Sequence, residues 1–161
     1  MRQQHIRQIE KIVVNIGVGK LRHETQFEDK ILPEVIRELS LITGQKPATR
    51  QAKKSIAGFK IRTGDIVGLT ATLRGKRKED FFKRLVAIVI PRTKDFRGIG
   101  LNGIDRSGNL NLGLREQFVF PEINADISKV RFGLEITLVP RERNRETAID
   151  LYRELGVPLK K

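Results

Sequence analysis

Several residue types are missing or rare in this chain of 161 residues. It contains no cysteine and no tryptophan, and only one tyrosine and two histidines. Without cysteine there can be no disulfide and no thiolate metal site, and His5 and His23 are too few for a histidine-rich site. The shortage of large aromatic rings disfavours a broad stacking platform for single-stranded nucleic acid. We therefore predict that the protein holds no metal.

Long apolar runs are missing too. No stretch approaches the roughly 20 apolar residues that span a membrane. The N-terminal residues MRQQH lack the apolar core of a secretory signal. A membrane surface is also a poor partner, because no basic segment has a clearly lipid-facing apolar helix beside it. The sequence thus predicts a protein that stays in the cytoplasm.

Acidic residues are outnumbered by basic ones. The chain has 19 Asp and Glu against 32 Lys and Arg, which gives a formal net charge of +13. Such an excess is typical of a protein with a polyanionic partner. Because membranes and single strands are disfavoured, the favoured partner is folded RNA or the backbone of a duplex.

The imbalance is greatest in residues 46–62, KPATRQAKKSIAGFKIR, which contain no Asp or Glu. The middle of this stretch, residues 53–60, lies between segments of strand character and is predicted to form a protruding loop with two apolar residues and a glycine hinge. Fixed cations in such a loop would displace the counterions around nucleic acid. A loop that is merely solvated is the alternative. The cations are Lys46, Arg50, Lys53, Lys54, Lys60 and Arg62.

Apolar periodicity predicts an α+β fold. Half-buried strands are predicted where apolar and polar residues alternate, at 11–19, 65–75, 110–114 and 130–139. Helices are predicted where apolar residues recur every three or four positions, at 24–41, 76–90 and 144–155. Pro33 would kink the first helix or mark a second start, and Pro91 would stop the second. We expect one domain over residues 1–161, with helices on one face of a mainly antiparallel sheet and the other face open.

The open face of this sheet is a second candidate surface for nucleic acid. Asn15 lies on it between Val13 and Gly17, and the strand pattern alone favours a hydrogen bond within the sheet over contact with a partner. We expect short polar donors and cations on this face, namely Asn15, Thr70, Thr72, Arg74, Arg131 and Thr137.

One glycine motif and the scattered ionisable residues offer little support for an enzyme. GIGLNG at 98–103 has the spacing of a dinucleotide fingerprint, which works only where the glycines join a strand directly to a helix. Here Pro91 separates the motif from the preceding helix and a hairpin follows. No nucleophile elbow accompanies the histidines. We predict a binding protein without a cofactor; an RNA-modifying or nucleotide-using enzyme with a basic surface is the alternative, and a general nucleic-acid chaperone is a third possibility.

Read together, several runs resemble those of one family, the universal fifth protein of the large ribosomal subunit in its bacterial form, which binds 5S rRNA. The basic loop is the most specific part of the resemblance, which extends over roughly residues 10–158. The runs are VNIGVG (14–19), LITGQKP (41–47), AKKSIAGFKIR (52–62), TLRG (72–75), PRTKDFRG (91–98), GNLNLGL (108–114) and EQFVFPEI (116–123).

The resemblance implies a non-enzymatic constituent of the central protuberance, whose open sheet face holds 5S rRNA. It places polar RNA contacts at Asn15, Gln45 and Thr72, and so reverses the preference that the strand pattern alone gave for Asn15. Such recognition reads shape, 2′-hydroxyls and phosphates, because the deep groove of folded RNA is closed to side chains. The predicted rRNA-binding residues are Asn15, Gln45, Lys46, Arg50, Thr70, Thr72, Arg74 and Lys76.

The resemblance also implies that loop 52–62 reaches toward the tRNA in the peptidyl site. Its cations would meet the tRNA backbone, Ile56 and Phe59 would pack on exposed bases or sugars, and Gly58 would let the backbone approach closely. The predicted tRNA-binding residues are Lys53, Lys54, Ser55, Ile56, Gly58, Phe59, Lys60 and Arg62.

Further partners follow from the same resemblance. Segment 91–98 would lie near the intersubunit bridge to a protein of the small-subunit head, with Arg92, Lys94 and Arg97 in that region. Large-subunit rRNA and neighbouring ribosomal proteins would surround the rest of the protein. Two departures from the family are expected: the usual N-terminal helix is missing, and the segment 19–39 is a few residues longer than usual.

Overall fold

The computed structural model describes residues 5–94 and 96–160. Residues 1–4, most of the segment considered above as a possible secretory signal, lie outside it, as do Lys161 and Asp95 of the predicted bridge segment. Within the described residues, five strands form one antiparallel sheet in the order β2-β3-β1-β5-β4. The strands are β1 (Ile9–Gly17), β2 (Ala48–Gln51), β3 (Ile66–Leu73), β4 (Leu110–Leu114) and β5 (Leu134–Pro140).

Alternation along β1 separates the two faces of the sheet. Ile12, Val14 and Ile16 are at most 2% exposed, because successive side chains of a strand point to opposite sides. In register, Ile12 lies beside Leu73 of β3, and Val14 lies beside Ile136 of β5, so these residues share the buried face. The intervening residues of β1 therefore lie on the opposite face.

Three helices cover the buried face: α1 (Leu32–Thr43), α2 (Gly75–Arg84) and α3 (Arg145–Glu154). Leu39 of α1, Phe81 of α2 and Tyr152 of α3 are fully buried in one hydrophobic cluster with the apolar residues of the sheet. Phe81 also stacks on Phe120, with ring centroids 6.0 Å apart. This arrangement confirms the predicted α+β class, with helices on one face and the other face open.

The starts of α1 and α3 show how local sequence sets the helix ends. A π-helical turn at Phe27–Ile31 precedes α1, and Pro33 lies in the first turn of α1, where its missing N–H costs no hydrogen bond. Pro33 therefore marks a second start and not a kink. At α3 the Asn144 side-chain oxygen accepts from the backbone N–H of Glu146 at 2.8 Å, which caps the helix.

Pro91 does not stop the second helix, contrary to expectation. After α2 the chain continues through a π-helical turn, Leu85–Val89, into a last helical turn, Ile90–Arg92, that contains the proline. A π turn replaces the usual i to i+4 pairing by a wider one. The helical path therefore continues past Ile90 to Arg92, with Pro91 in its last turn.

The last strand begins later than predicted. Val130 and Phe132 are buried as the alternation indicated, yet they lie outside β5, because the side chain of Gln117 satisfies their backbone groups. Gln117 Nε2 donates to Val130 O at 2.7 Å, and Gln117 Oε1 accepts from Phe132 N at 3.1 Å. Arg131 accordingly lies outside the sheet, in an ion pair with Glu116 at 2.7 Å. Arg131 is exposed between buried Val130 and Phe132, as the alternation predicted, but it lies before the first residue of β5.

Candidate nucleic-acid interface

Asn15 and Thr70 are register partners on the open face, in β1 and β3. The Thr70 hydroxyl donates to Asn15 Oδ1 at 2.7 Å, and Thr70 is only 7% exposed. The bond within the sheet agrees with the strand pattern, and the RNA contact that the resemblance implies for Asn15 stays a prediction. The oxygen of Asn15 is engaged within the sheet, whereas its amide nitrogen has no acceptor among the described residues. Thr70 thus orients a side chain that keeps free donor capacity.

Beside the Asn15–Thr70 pair, which we call the first polar row, a second polar row crosses the open face of the sheet. Val13 of β1 lies between Thr72 of β3 and Thr137 of β5, and Thr137 in turn lies beside Asn111 of β4. The Thr137 hydroxyl donates to Asn111 Oδ1 at 2.8 Å. The candidate residues from the sequence did not include Asn111. Its position between Leu110 and Leu112 in an alternating strand could have placed it on the open face.

Gln45 and the edge strand β2 border these rows. Gln45 Nε2 donates to the backbone oxygen of Thr72 at 3.1 Å, so the turn after α1 is held against β3. Arg50 lies beside Gly68 in register and therefore shares the face of Thr70. Every residue of β2 is exposed, which explains why the sequence showed no alternation there. Lys46, just before β2, is exposed as well.

Arg74 and Lys76 extend the surface where β3 turns into α2. Both are exposed. The first turn of α2 contains no acidic residue, and cations there oppose the helix macrodipole, which favours negative charge at this end. Their placement therefore does not serve the stability of α2. Arg74 also forms an ion pair with Glu10 at 3.4 Å.

The basic loop is a hairpin that extends from the end of β2 to the start of β3. Ile56 and Ile61 pair through backbone bonds of 2.8 and 3.1 Å, and Ser55 Oγ accepts from Thr63 N at 3.0 Å. At its base, Asp65 O accepts from Ala52 N at 2.8 Å. All predicted tRNA-binding residues are exposed: Lys53, Lys54, Ser55, Ile56, Gly58, Phe59, Lys60 and Arg62.

The tip of this hairpin differs from the predicted glycine hinge. Gly58 lies in a 3-10 turn, Ala57–Phe59, and is not among the glycines with positive φ. The left-handed residue is instead Lys60, with φ of 52°, a conformation that is costly for a side chain with a Cβ. Phe59 is 68% exposed and Ile56 47% exposed. The tip therefore presents apolar side chains and a cation outward.

The predicted bridge residues lie in a third region. Arg92 is in the last helical turn after α2, and Lys94 and Arg97 follow it; all three are exposed. The structure thus brings the predicted rRNA-binding residues together around the open face and β2, while loop 52–62 extends from the end of β2 and the bridge segment follows the last helical turn after α2.

The glycine motif at 98–103 lacks the context of a dinucleotide site. Leu101–Gly103 form only a 3-10 turn, and Gly98 has φ of 94° in the preceding loop. In the part of the chain that the structure describes, no group of three or more His, Cys, Asp or Glu residues could hold a metal ion. None of the helices described is both long and apolar enough to cross a membrane.

Comparison with known proteins decides the family. The family model described as "Ribosomal protein L5" matches residues 4–62, and the model of the C-terminus of the same ribosomal family matches residues 66–159. The chain belongs to the ribosomal protein L5 family. It is 47% identical over 154 residues to the large ribosomal subunit protein uL5 of Oceanobacillus iheyensis, an alignment that covers 95% of this chain and 83% of that protein.

Other relatives are equally similar. The uL5 proteins of Acholeplasma laidlawii and of an Anaeromyxobacter species are 46% and 47% identical, over 95% and 94% of this chain and 83% and 82% of their own lengths. Family membership makes the chain a bacterial-type ribosomal protein of the large subunit, which acts in the cytoplasm with rRNA and other ribosomal proteins. It confirms the recognition from sequence and the prediction that the protein is not an enzyme.

Proposed function

We propose that this L5-family protein binds 5S rRNA in the central protuberance through the open face of its sheet. The observation that carries the proposal is the set of polar side chains held in order on that face. Thr70 orients Asn15, and the Gln45 side chain donates a hydrogen bond to the backbone oxygen of Thr72. Hydrogen-bonding groups fixed in advance lose little side-chain entropy on binding.

Short polar side chains and cations would make different kinds of contact on this face. A folded RNA offers 2′-hydroxyls and phosphates on a wide, shallow groove, which a flat row of short donors can reach. Asn15 and Thr72 would make such contacts, while Arg50, Arg74 and Lys76 at the margins would neutralise phosphates and raise affinity. The polar rows described above contain no aromatic side chain, so the proposed binding does not depend on stacking with unpaired bases.

The test compares two RNAs of equal length. The purified protein should bind 5S rRNA far more tightly than a scrambled RNA at physiological salt, and Asn15→Ala with Thr72→Ala should weaken 5S rRNA binding. Equal affinities for the two RNAs, with a steep salt dependence, would indicate a general nucleic-acid chaperone and overturn the proposal. Cofactor retained on purification would support the alternative of a nucleotide-using enzyme.

The hairpin tip is proposed to contact the tRNA in the peptidyl site. Ile56 and Phe59 are large apolar side chains that the fold leaves in solvent, and a cation, Lys60, is held beside them in a left-handed conformation. Strain of this kind is a signature of functional sites. The apolar pair would pack on sugars or bases of the tRNA, and Lys53 and Lys54 would meet its backbone.

A matched pair of variants tests the tip. Phe59 and Ile127 are 68% and 67% exposed, so each loses a comparably exposed apolar side chain on truncation. Ribosomes assembled with Phe59→Ala should hold tRNA less well in the peptidyl site, whereas Ile127→Ala should not change tRNA binding. Lys53→Glu with Lys54→Glu should impair translation and spare 5S rRNA binding. If this double variant is folded but no longer binds 5S rRNA, the proposal that the hairpin tip binds tRNA and the sheet face binds 5S rRNA would be contradicted.

The exposed cations after α2 are proposed to lie near the intersubunit bridge to the small-subunit head. Arg92, Lys94 and Arg97 are the residues concerned, and their exposure leaves them available to a protein partner. Reversing all three charges should lower the fraction of joined subunits in sucrose gradients without changing 5S rRNA binding. An unchanged fraction would remove these residues from the bridge.

A further inference from the structure

Glu10 joins two arginines that are far apart in sequence. Its Oε1 is 3.4 Å from Arg74 Nη1, after β3, and its Oε2 is 2.9 Å from Arg143 Nη2, in the loop between β5 and α3. Lys11 Nζ lies 3.9 Å from Oε1 of the same carboxylate. One acid thus gathers three cations, which leaves a local excess of positive charge.

The cluster lies at one end of the open face. In the register of β1 and β3, Ile12 pairs with Leu73, so the next positions, Lys11 and Arg74, fall on the face that carries Thr72. Arg143 reaches the same edge, where its Nη1 is 3.5 Å from Asn109 Oδ1 at the start of β4. The cations therefore lie one row along the sheet from Thr72 and Asn111, on either side of buried Val139, which pairs with Lys11.

Glu10 is suited to holding these arginines in place. Burial alone would raise its pKa, but the hydrogen bond from Arg74 and the charges of Lys11, Arg143 and Arg74 outweigh burial and lower the pKa, so the carboxylate stays ionised. Exposed ion pairs contribute little to stability, and long side chains lose entropy when held. The cluster therefore contributes little to the stability of the folded protein. Each guanidinium keeps unused N–H donors, which fit a phosphate.

We propose that Lys11, Arg74 and Arg143 form a phosphate-binding site that extends the 5S rRNA surface past the polar rows, with Glu10 as its positioning residue. The proposal rests on the proposed function of the open face. It adds Lys11 and Arg143 to the RNA-binding set, and it assigns to an acidic residue a role in binding a polyanion. If only its charge mattered, the Glu10 carboxylate would repel the RNA phosphates and weaken binding.

Arg143→Ala tests the site through the salt dependence of binding to labelled 5S rRNA. Loss of one phosphate contact should weaken binding about 3- to 10-fold and lower the slope of log K against log salt by about one. The matched control is Arg153→Ala on α3, which removes the same charge from an exposed arginine 3.5 Å from Asp150. Arg153→Ala should leave the slope unchanged; equal slopes for the two variants overturn the proposal.

Glu10→Gln separates positioning from simple charge. The variant removes a negative charge from an RNA-binding face, so plain electrostatics predicts tighter binding. Positioning predicts binding several-fold weaker, because the arginines lose their common anchor. Unchanged or tighter binding overturns the assignment of Glu10. If the wild-type protein binds 5S rRNA and scrambled RNA equally, both the proposed function and this site are overturned. If the wild type prefers 5S rRNA but Arg143→Ala binds it as well as the wild type, only the site is overturned.

Discussion

The Thr70 hydroxyl donates to Asn15 Oδ1 at 2.7 Å across β1 and β3, on the face of the sheet opposite the three helices. Thr70 is buried and Asn15 is half-buried, so the bond is partly shielded from solvent. An acceptor engaged in this way leaves the Asn15 amide nitrogen to donate elsewhere. The pair therefore combines a bond within the protein with a donor available to a partner.

Thr70→Val should separate the orientation of Asn15 from its presence. Valine has a similar shape but cannot donate, so we expect about 1 kcal/mol lower unfolding free energy and several-fold weaker 5S rRNA binding. Urea unfolding and RNA titration measure the two effects. Thr49→Val, on an exposed β2 position beside Leu69, serves as the control and should change neither. Unaltered RNA affinity in folded Thr70→Val would show that Thr70 does not orient Asn15 for binding.

Gly108→Ala should be strongly destabilising. Gly108 has φ of 79°, and a Cβ there would lie 2.7 Å from Ala148 Cβ and 2.8 Å from Asn144 O, at the start of α3. We expect a loss of about 2–4 kcal/mol in unfolding free energy. Gly58→Ala is the control, since no atom lies within 4 Å of its added Cβ and it should stay within about 0.5 kcal/mol of wild type. Similar urea midpoints for the two variants would contradict the packing of this turn against α3.

Tyr152→Phe should lower stability without touching RNA binding. The Tyr152 hydroxyl is hydrogen-bonded to Gly108 O at 2.8 Å and to Leu138 O at 3.1 Å, on the covered side of the sheet. Losing it leaves buried carbonyls without this donor, at a cost of about 1–2 kcal/mol. A variant as stable as wild type in urea, or one with altered 5S rRNA affinity, would disagree with this role.

The same hydroxyl makes stability fall at alkaline pH. Burial raises the pKa of Tyr152 above its ordinary value of 10.0. The contribution of this group is thus fully present below pH 10 and is lost as pH rises above the unfolded pKa toward the folded one. Since the chain has one tyrosine and no tryptophan, tyrosinate absorbance reports on this residue alone. It should appear together with unfolding measured by circular dichroism; ionisation of the folded protein near its ordinary pKa would refute the burial argument.

Glu10 should show the opposite pH dependence. Its folded pKa is lowered from 4.5, so its contribution is present above that pH and is lost as pH falls through the folded pKa. The difference in melting temperature between wild type and Glu10→Gln should therefore be larger near neutral pH than at strongly acidic pH. Glu28→Gln, at an exposed carboxylate that forms no ion pair among the described residues, is the control and should show no such pH-dependent difference. A difference independent of pH would mean that the ion pairs of Glu10 do not form in solution.

Short-range signals carried much of the architecture. Alternation located β1, β3 and β4 because each has one apolar face packed against the core, and the three-to-four spacing located the helices. The same signals placed the start of the last strand too early, because there a side chain takes the backbone hydrogen bonds that a neighbouring strand would otherwise make. Gln117 takes the backbone bonds that residues 130–132 would otherwise give to a neighbouring strand, and its own sequence context does not reveal this. Exposed β2 had no buried face to produce alternation.

Composition and local pattern specify the chemistry of the protein: a large excess of positive charge, an acid-free basic loop and strands with one polar face. These properties depend on residue type and on periods of two or about four, which are local. The tertiary structure alone decided which groups meet. The contacts of Thr70 with Asn15, and of Arg74 and Arg143 with Glu10, join residues 55, 64 and 133 positions apart. Strand order and register create such contacts, and both follow from packing of the whole chain.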